Sequence, residues 1–279
     1  MGSNPTFSKK FMKALTNGIL TKNEQHPFHL VDPSPWPFMV SQSVATCVIF
    51  ICWKFESLKY TQYWGLIFFV ISAWTIFQWF LAIVKESTFQ GHHTFKVQQG
   101  LRMGMALFIV SEVMFFFSFF WGFFHAALAP TVAISSRWPP YAIEVLDPWA
   151  VPLLNTVILL SSGVSITWAH RAMIIGNRSG SLLGLGITIL LGIIFTGFQW
   201  EEYEELNYFI FSGVYGSLFF LCTGFHGFHV IIGTLFLYVC FVRLKNYHFT
   251  KEHHFGFEAA AWYWHFVDII WIIVFYLYF

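Results

Sequence analysis

The sequence predicts an all-α polytopic membrane protein with seven transmembrane helices. Three observations carry this prediction. Hydrophobic residues make up 57% of the chain and charged residues only 10%, a balance foreign to soluble domains. Long apolar runs recur between polar breaks, each long enough to cross a ~30 Å hydrocarbon core at ~1.5 Å rise per residue. Of the 15 Lys and Arg, all but Lys54, Lys59 and Arg137 fall in alternate breaks, the asymmetry left by a chain that crosses and recrosses with its basic loops on one side.

Residues 1–30 form a basic N-terminal extension with Lys9, Lys10, Lys13 and Lys22. Phe7, Phe11, Leu15 and Ile19 recur every four residues, a spacing that suits a short interfacial helix or part of a targeting segment. The first span, 37–54, follows the proline-rich run 32–37, where a missing N–H costs nothing at a helix start. The second covers 61–84, so residues 31–84 hold the first two helices. A polar loop, 85–99, leads to the third span at 100–129. The fourth runs over 150–171, the fifth over 182–200, the sixth over 207–242 and the seventh over 258–279. Glycines 184, 186, 192 and 197 in the fifth, and 213, 216, 224, 227 and 233 in the sixth, allow close helix approach.

The third span organises the rest. Between Arg102 and Arg137 its only charged residue is Glu112, about 15–18 Å inside the helix end at Gly100. An ionised acid near the midplane costs on the order of 2.5–3.5 kcal/mol. The neutral acid, hydrogen-bonded across to another helix, is cheaper. His226 and His229 of the sixth span, and His265 and Asp268 of the seventh, lie at similar depth, each pair three apart on one face. Di-iron bundles use Glu-x-x-His pairs on two helices, and no such pair occurs here. The set therefore reads as groups that satisfy one another between helices, with no metal bound. Cys47, Cys52, Cys222 and Cys240 make no metal or haem motif and read as small apolar residues. No basic block offers nucleic acid a footprint.

With seven spans the termini lie on opposite sides, and the basic loops place the N-terminus in the cytoplasm or mitochondrial matrix. That is the reverse of the usual seven-helix receptor. A stand-alone proton or ion transporter with Glu112 and Asp268 as relay acids is a rival reading, but no internal repeat supports it.

Long motifs then point further. PSPWP at 33–37, ESTFQGHHT at 86–94, GLRMGMALFIVSEVMFFFSFFW at 100–121, VPLLNT at 151–156, SGVSITWAH at 162–170, TGFHGFHVIIG at 223–233 and HHFGFEAAAWYWHFVD at 253–268 resemble subunit III of cytochrome c oxidase, of the mitochondrial type. The resemblance runs from about residue 26 to the end. It implies two bundles, helices 1–2 and 3–7, diverging in a V-shaped cleft filled with phospholipid. It implies an inner mitochondrial membrane protein, with its N-terminus in the matrix and its C-terminus in the intermembrane space. It also implies a non-redox subunit, with haem a, haem a3 and copper in partner subunits. Subunit I is then the main contact, alongside subunit II and accessory subunits. The complex passes electrons from cytochrome c to O2 and pumps protons; this subunit is expected to stabilise the catalytic one and sustain proton uptake. Glu112 matches the family's carbodiimide-reactive embedded acid. Lys85, His92, His93, Arg102 and Arg243 are expected beside the cleft, binding headgroups of cardiolipin, phosphatidylglycerol or phosphatidylethanolamine.

Overall fold

The computed structural model describes residues 27–55, 61–141 and 143–279. The basic extension up to residue 26 and the break at 56–60 lie outside the described residues. The described residues form seven α-helices in chain order: α1 Trp36–Phe55, α2 Thr61–Thr88, α3 Phe95–Leu128, α4 Val151–Ile175, α5 Arg178–Glu205, α6 Gly213–Lys245 and α7 Phe255–Tyr278. Six are long and apolar enough to cross a membrane, and α1 has a shorter apolar stretch. Helices suit this solvent because hydrocarbon offers no partner for an open N–H or C=O.

Most helices run beyond the bounds read from the sequence. The 85–99 loop shrinks, because 85–88 continue α2 and 95–99 open α3. Likewise α5 takes in the polar residues 178–181 and 201–205 at its ends. Hydropathy marks where hydrocarbon stops, but backbone hydrogen bonding carries a helix on into the headgroup region. The sixth helix is shortened instead. Residues 207–212 form a turn, with Ser212 N–H donating to the Phe209 carbonyl, and Gly213 takes a φ of +82° that a continuing helix cannot include.

The chain divides into two compact units, residues up to 101 and residues 102–279. In the first, α1 and α2 pair through Ser43 Oγ and Thr75 Oγ1 at 3.1 Å and stacked Phe50 and Phe68. His29 stacks on His92, ring centroids 4.6 Å apart, and its Nε2 lies 3.4 Å from Glu86 Oε2.

In the second unit α4, α5, α6 and α7 close a ring, each packing on the next and α7 returning to α4. The tight link between α4 and α5 is a pair of caps. Gly176, at φ +91°, sends its N–H back to the Ala172 and Met173 carbonyls, and Asn177 Oδ1 accepts from Gly180 N–H. Such an αL glycine after a helix is strain-free. Two tryptophans of α7 lock the ring. Trp264 Nε1 donates to Ser162 Oγ at 2.8 Å and Trp271 Nε1 to Thr156 Oγ1 at 2.9 Å.

The glycine expectation holds for part of the set. A Cβ on Gly192 would come 2.8 Å from Trp264 and one on Gly233 2.9 Å from the same ring. Gly184 and Gly216 are equally tight, whereas Gly197, Gly213, Gly224 and Gly227 face open space. Spacing alone does not separate the two kinds. Replacing Gly192 or Gly233 with Ala should therefore overpack the Trp264 seat and cost about 1–3 kcal/mol. Gly224→Ala should be neutral or stabilising by roughly 0.5–1 kcal/mol through helix propensity. Thermal unfolding of the purified protein in mild detergent reads both signs.

Candidate functional site

The five embedded polar residues do not form one cluster. Glu112 of α3 meets His229 of α6, Oε2 to Nε2, at 2.9 Å. An aromatic wall surrounds the pair. Phe116 lies 5.1 Å from the imidazole centroid, and Tyr263 and Phe266 each lie 6.2 Å away. His265 and Asp268 belong to a second place, on the α4-facing side of α7. His265 Nε2 is 3.4 Å from Thr167 Oγ1, and its Nδ1 lies 3.9 Å from Asp268 Oδ2. Asp268 settles over Gly163, where a Cβ would come 2.6 Å from Oδ2. His226 stands apart from both, buried against Phe195 and Trp271. Although three residues from His229, it faces the ring interior while His229 faces α3. Two side chains on one helical stripe can still lean to different neighbours.

The hydrogen bonds fix the proton inventory of the Glu112–His229 pair. His229 Nδ1 lies 2.7 Å from the Phe225 carbonyl oxygen. A carbonyl only accepts, so Nδ1 carries a hydrogen. One further proton then lies on the line between Nε2 and Oε2. Either the carboxyl O–H donates to a neutral imidazole, or the imidazolium N–H donates to a carboxylate. The pair is electrically neutral in both arrangements, which is how an acid is tolerated at this depth.

A third constellation sits where α4 ends and α7 begins. Arg102 Nε donates to Glu258 Oε2 at 2.8 Å and Nη2 to Oε1 at 3.2 Å, a two-pronged pair. His254 Nε2 approaches Glu258 Oε1 at 3.4 Å. With His170, the ligand atoms of His254 and Glu258 lie within 4.8 Å of one another. The donor types suit a divalent ion. Arg102, however, occupies both carboxylate oxygens and adds a positive charge beside them, so the arrangement is that of a closed ion pair. The four-residue spacing of His254 and Glu258 was visible in the sequence, but nothing there linked them to His170 or Arg102.

The proposed headgroup contacts divide between the units. Lys85, in the last turn of α2, and His92 and His93, in the α2–α3 connection, belong to the first. In the second, the Arg243 guanidinium lies 4.4 Å over the Phe249 ring, and its Nε has no hydrogen-bond partner among the described residues. Burial, and then the Arg243 charge, hold the nearby His248 imidazole below its usual range. Cys47, Cys222 and Cys240 are buried and Cys52 is exposed, all as free thiols.

The family model for cytochrome c oxidase subunit III matches residues 26–279. The chain belongs to that family. It is 54% identical over 259 residues to the subunit 3 of Arabidopsis thaliana, covering 92% of this chain and 97% of that one. It is 52% identical over 257 residues to that of Prototheca wickerhamii, covering 90% and 96%. It is 53% identical over 255 residues to that of the shark Scyliorhinus canicula, covering 91% and 96%. Family membership makes the chain a subunit of the oxidase complex in a mitochondrial membrane and sets the lone-transporter reading aside.

Deleting one partner of the embedded pair should cost more than deleting both. His229→Phe, which leaves the half-buried Glu112 unpaired, should destabilise by about 1–3 kcal/mol. The Glu112→Leu/His229→Phe double variant should lose less than the sum of the singles. Thermal unfolding of the four proteins closes that cycle.

Proposed function

We propose that this chain acts as the non-redox subunit III of mitochondrial cytochrome c oxidase, docked chiefly on subunit I and close to subunit II. Its haem a, haem a3 and copper partners reside in those chains. Its own part is to stabilise the catalytic subunit, hold phospholipid and support proton uptake. The neutral Glu112–His229 pair carries this reading. It is a proton-bearing group in hydrocarbon that shifts a proton between oxygen and nitrogen without exposing net charge. Such a group suits a subunit that works beside proton chemistry without performing redox chemistry. The Lys/Arg asymmetry supports an N-terminus in the matrix and a C-terminus in the intermembrane space.

For lipid, Arg243 is the strongest contact. Its guanidinium is backed by Phe249, and its positive charge suits a headgroup phosphate. Lys85, His92 and His93 supply charge and hydrogen bonds to a headgroup in the first unit. Arg102 joins through its Glu258 pair, which leaves it less to offer a lipid.

Two measurements test the proposal. Pull-down of the native complex in mild detergent through an N-terminal epitope should bring haem a absorbance and O2 uptake with reduced cytochrome c. A colourless, inactive but intact pull-down would overturn it. Lipid extraction from the same complex should show Arg243→Met losing anionic phospholipid several-fold, with Arg102→Met changing it much less. Equal lipid in both variants and wild type would remove the headgroup role.

A further inference from the structure

One interior layer of the α4–α7 ring contains more polar atoms than its side chains can pair. Asn155 of α4, Gln199 and Glu202 of α5 and His226 of α6 are all at most 5% exposed. Gln199 Nε2 donates to Glu202 Oε2 at 2.9 Å. Six other atoms of these four residues have no hydrogen-bond partner among the described residues: Asn155 Oδ1 and Nδ2, Gln199 Oε1, Glu202 Oε1, and His226 Nδ1 and Nε2. Orphaned buried groups at this density are rare in folded chains, because each costs its desolvation in full.

Contacts place the four residues at one level. Tyr203 Oη of α5 donates to Thr223 Oγ1 of α6 at 2.7 Å, so Gln199, one turn back on α5, comes level with His226, one turn on along α6. Phe195 of α5 and His226 touch the same Trp271 ring, at 4.8 and 5.1 Å between centroids. Trp271 in turn donates to Thr156, the residue after Asn155, which ties α4 in at that height. Ser165 of α4 faces Thr188 of α5 at 2.7 Å. Counting back along α4 and forward along α5 from there brings Asn155 opposite the Phe195–Gln199 turn.

We infer that this layer is a built hydration site, in which ordered water bridges Asn155, Gln199, Glu202 and His226. The lining is chemically suited to it. Asn155 offers both a donor and an acceptor, Gln199 an acceptor, Glu202 a carboxyl oxygen and His226 one donor and one acceptor in either neutral tautomer. A buried water makes about three hydrogen bonds, so about two waters satisfy the orphaned atoms. The hydrated layer then lies between the Glu202 carboxyl, near the C-terminal end of α5, and the His226 imidazole deeper in the ring. Tyr203 and Tyr208 both pack on Phe219 of α6, toward the C-terminal end of α5. The site is separate from the Glu112–His229 pair and does not rest on the role proposed for that pair.

Hydroxyl-radical footprinting by X-ray radiolysis of the intact complex tests this, since radicals formed in trapped water mark the rings beside it. Trp271 and Phe195 line the layer, whereas Trp264 and Phe257 are equally buried outside it. Trp271 should be labelled several-fold faster than Trp264, and Phe195 several-fold faster than Phe257. In an Asn155→Leu/His226→Leu variant the Trp271 rate should fall to that of Trp264. Equal rates in the wild-type complex would overturn the proposal. If the variant does not assemble, the density of the wild-type complex at high resolution decides. Peaks within hydrogen-bond distance of at least three of the four residues support it. Side chains turned to bond one another, with no peak among them, refute it.

Discussion

Hydrocarbon supplies no hydrogen bonds, so the polar atoms of a spanning helix need partners inside the protein, whether backbone, side chain or enclosed water. The backbone meets this by helix formation throughout the second unit. Serines and threonines meet it by bonding back to carbonyls three or four residues earlier, as Ser111 does to Phe108 and Thr167 to Gly163. Glu112 cannot do so, because a carboxyl needs a partner that takes up its proton or its charge. His229 is that partner, and its other nitrogen is fixed by the Phe225 carbonyl. The tie between α3 and α6 follows from that need.

The same constraint explains the ring of α4 to α7. Indole N–H groups are buried there only where a hydroxyl receives them, at Ser162 and Thr156. The indoles themselves fit because Gly192 and Gly233 leave out a side chain. Polar pairing therefore sets the register, and glycine sets the distance. Apolar residues fill the remaining volume, and the many exposed Phe, Ile and Leu side chains on α3 and α5 suit a lipid-facing surface rather than water.

Family membership makes the chain a non-redox subunit of the oxidase complex. Among the described residues, the one three-residue group with metal-ligand character, His170, His254 and Glu258, is drawn into an ion pair by Arg102. The embedded acid is neutral as a pair.

Much of this was legible in the sequence. Composition set the class, hydropathy located all seven described helices, and the lone acid of the third span singled out Glu112. These are local properties, read from one stretch at a time. The chain by itself left open which of His226, His229, His265 and Asp268 would meet Glu112, since all lie at similar depth and helical spacing does not tell which way a side chain leans. Only the packing of α3 against α6 chose His229, left His226 facing the ring interior and sent His265 and Asp268 toward α4. The polar layer around Asn155, Gln199 and Glu202 was invisible for the same reason. Each residue is unremarkable in its own helix, and only the register of three helices brings them to one height.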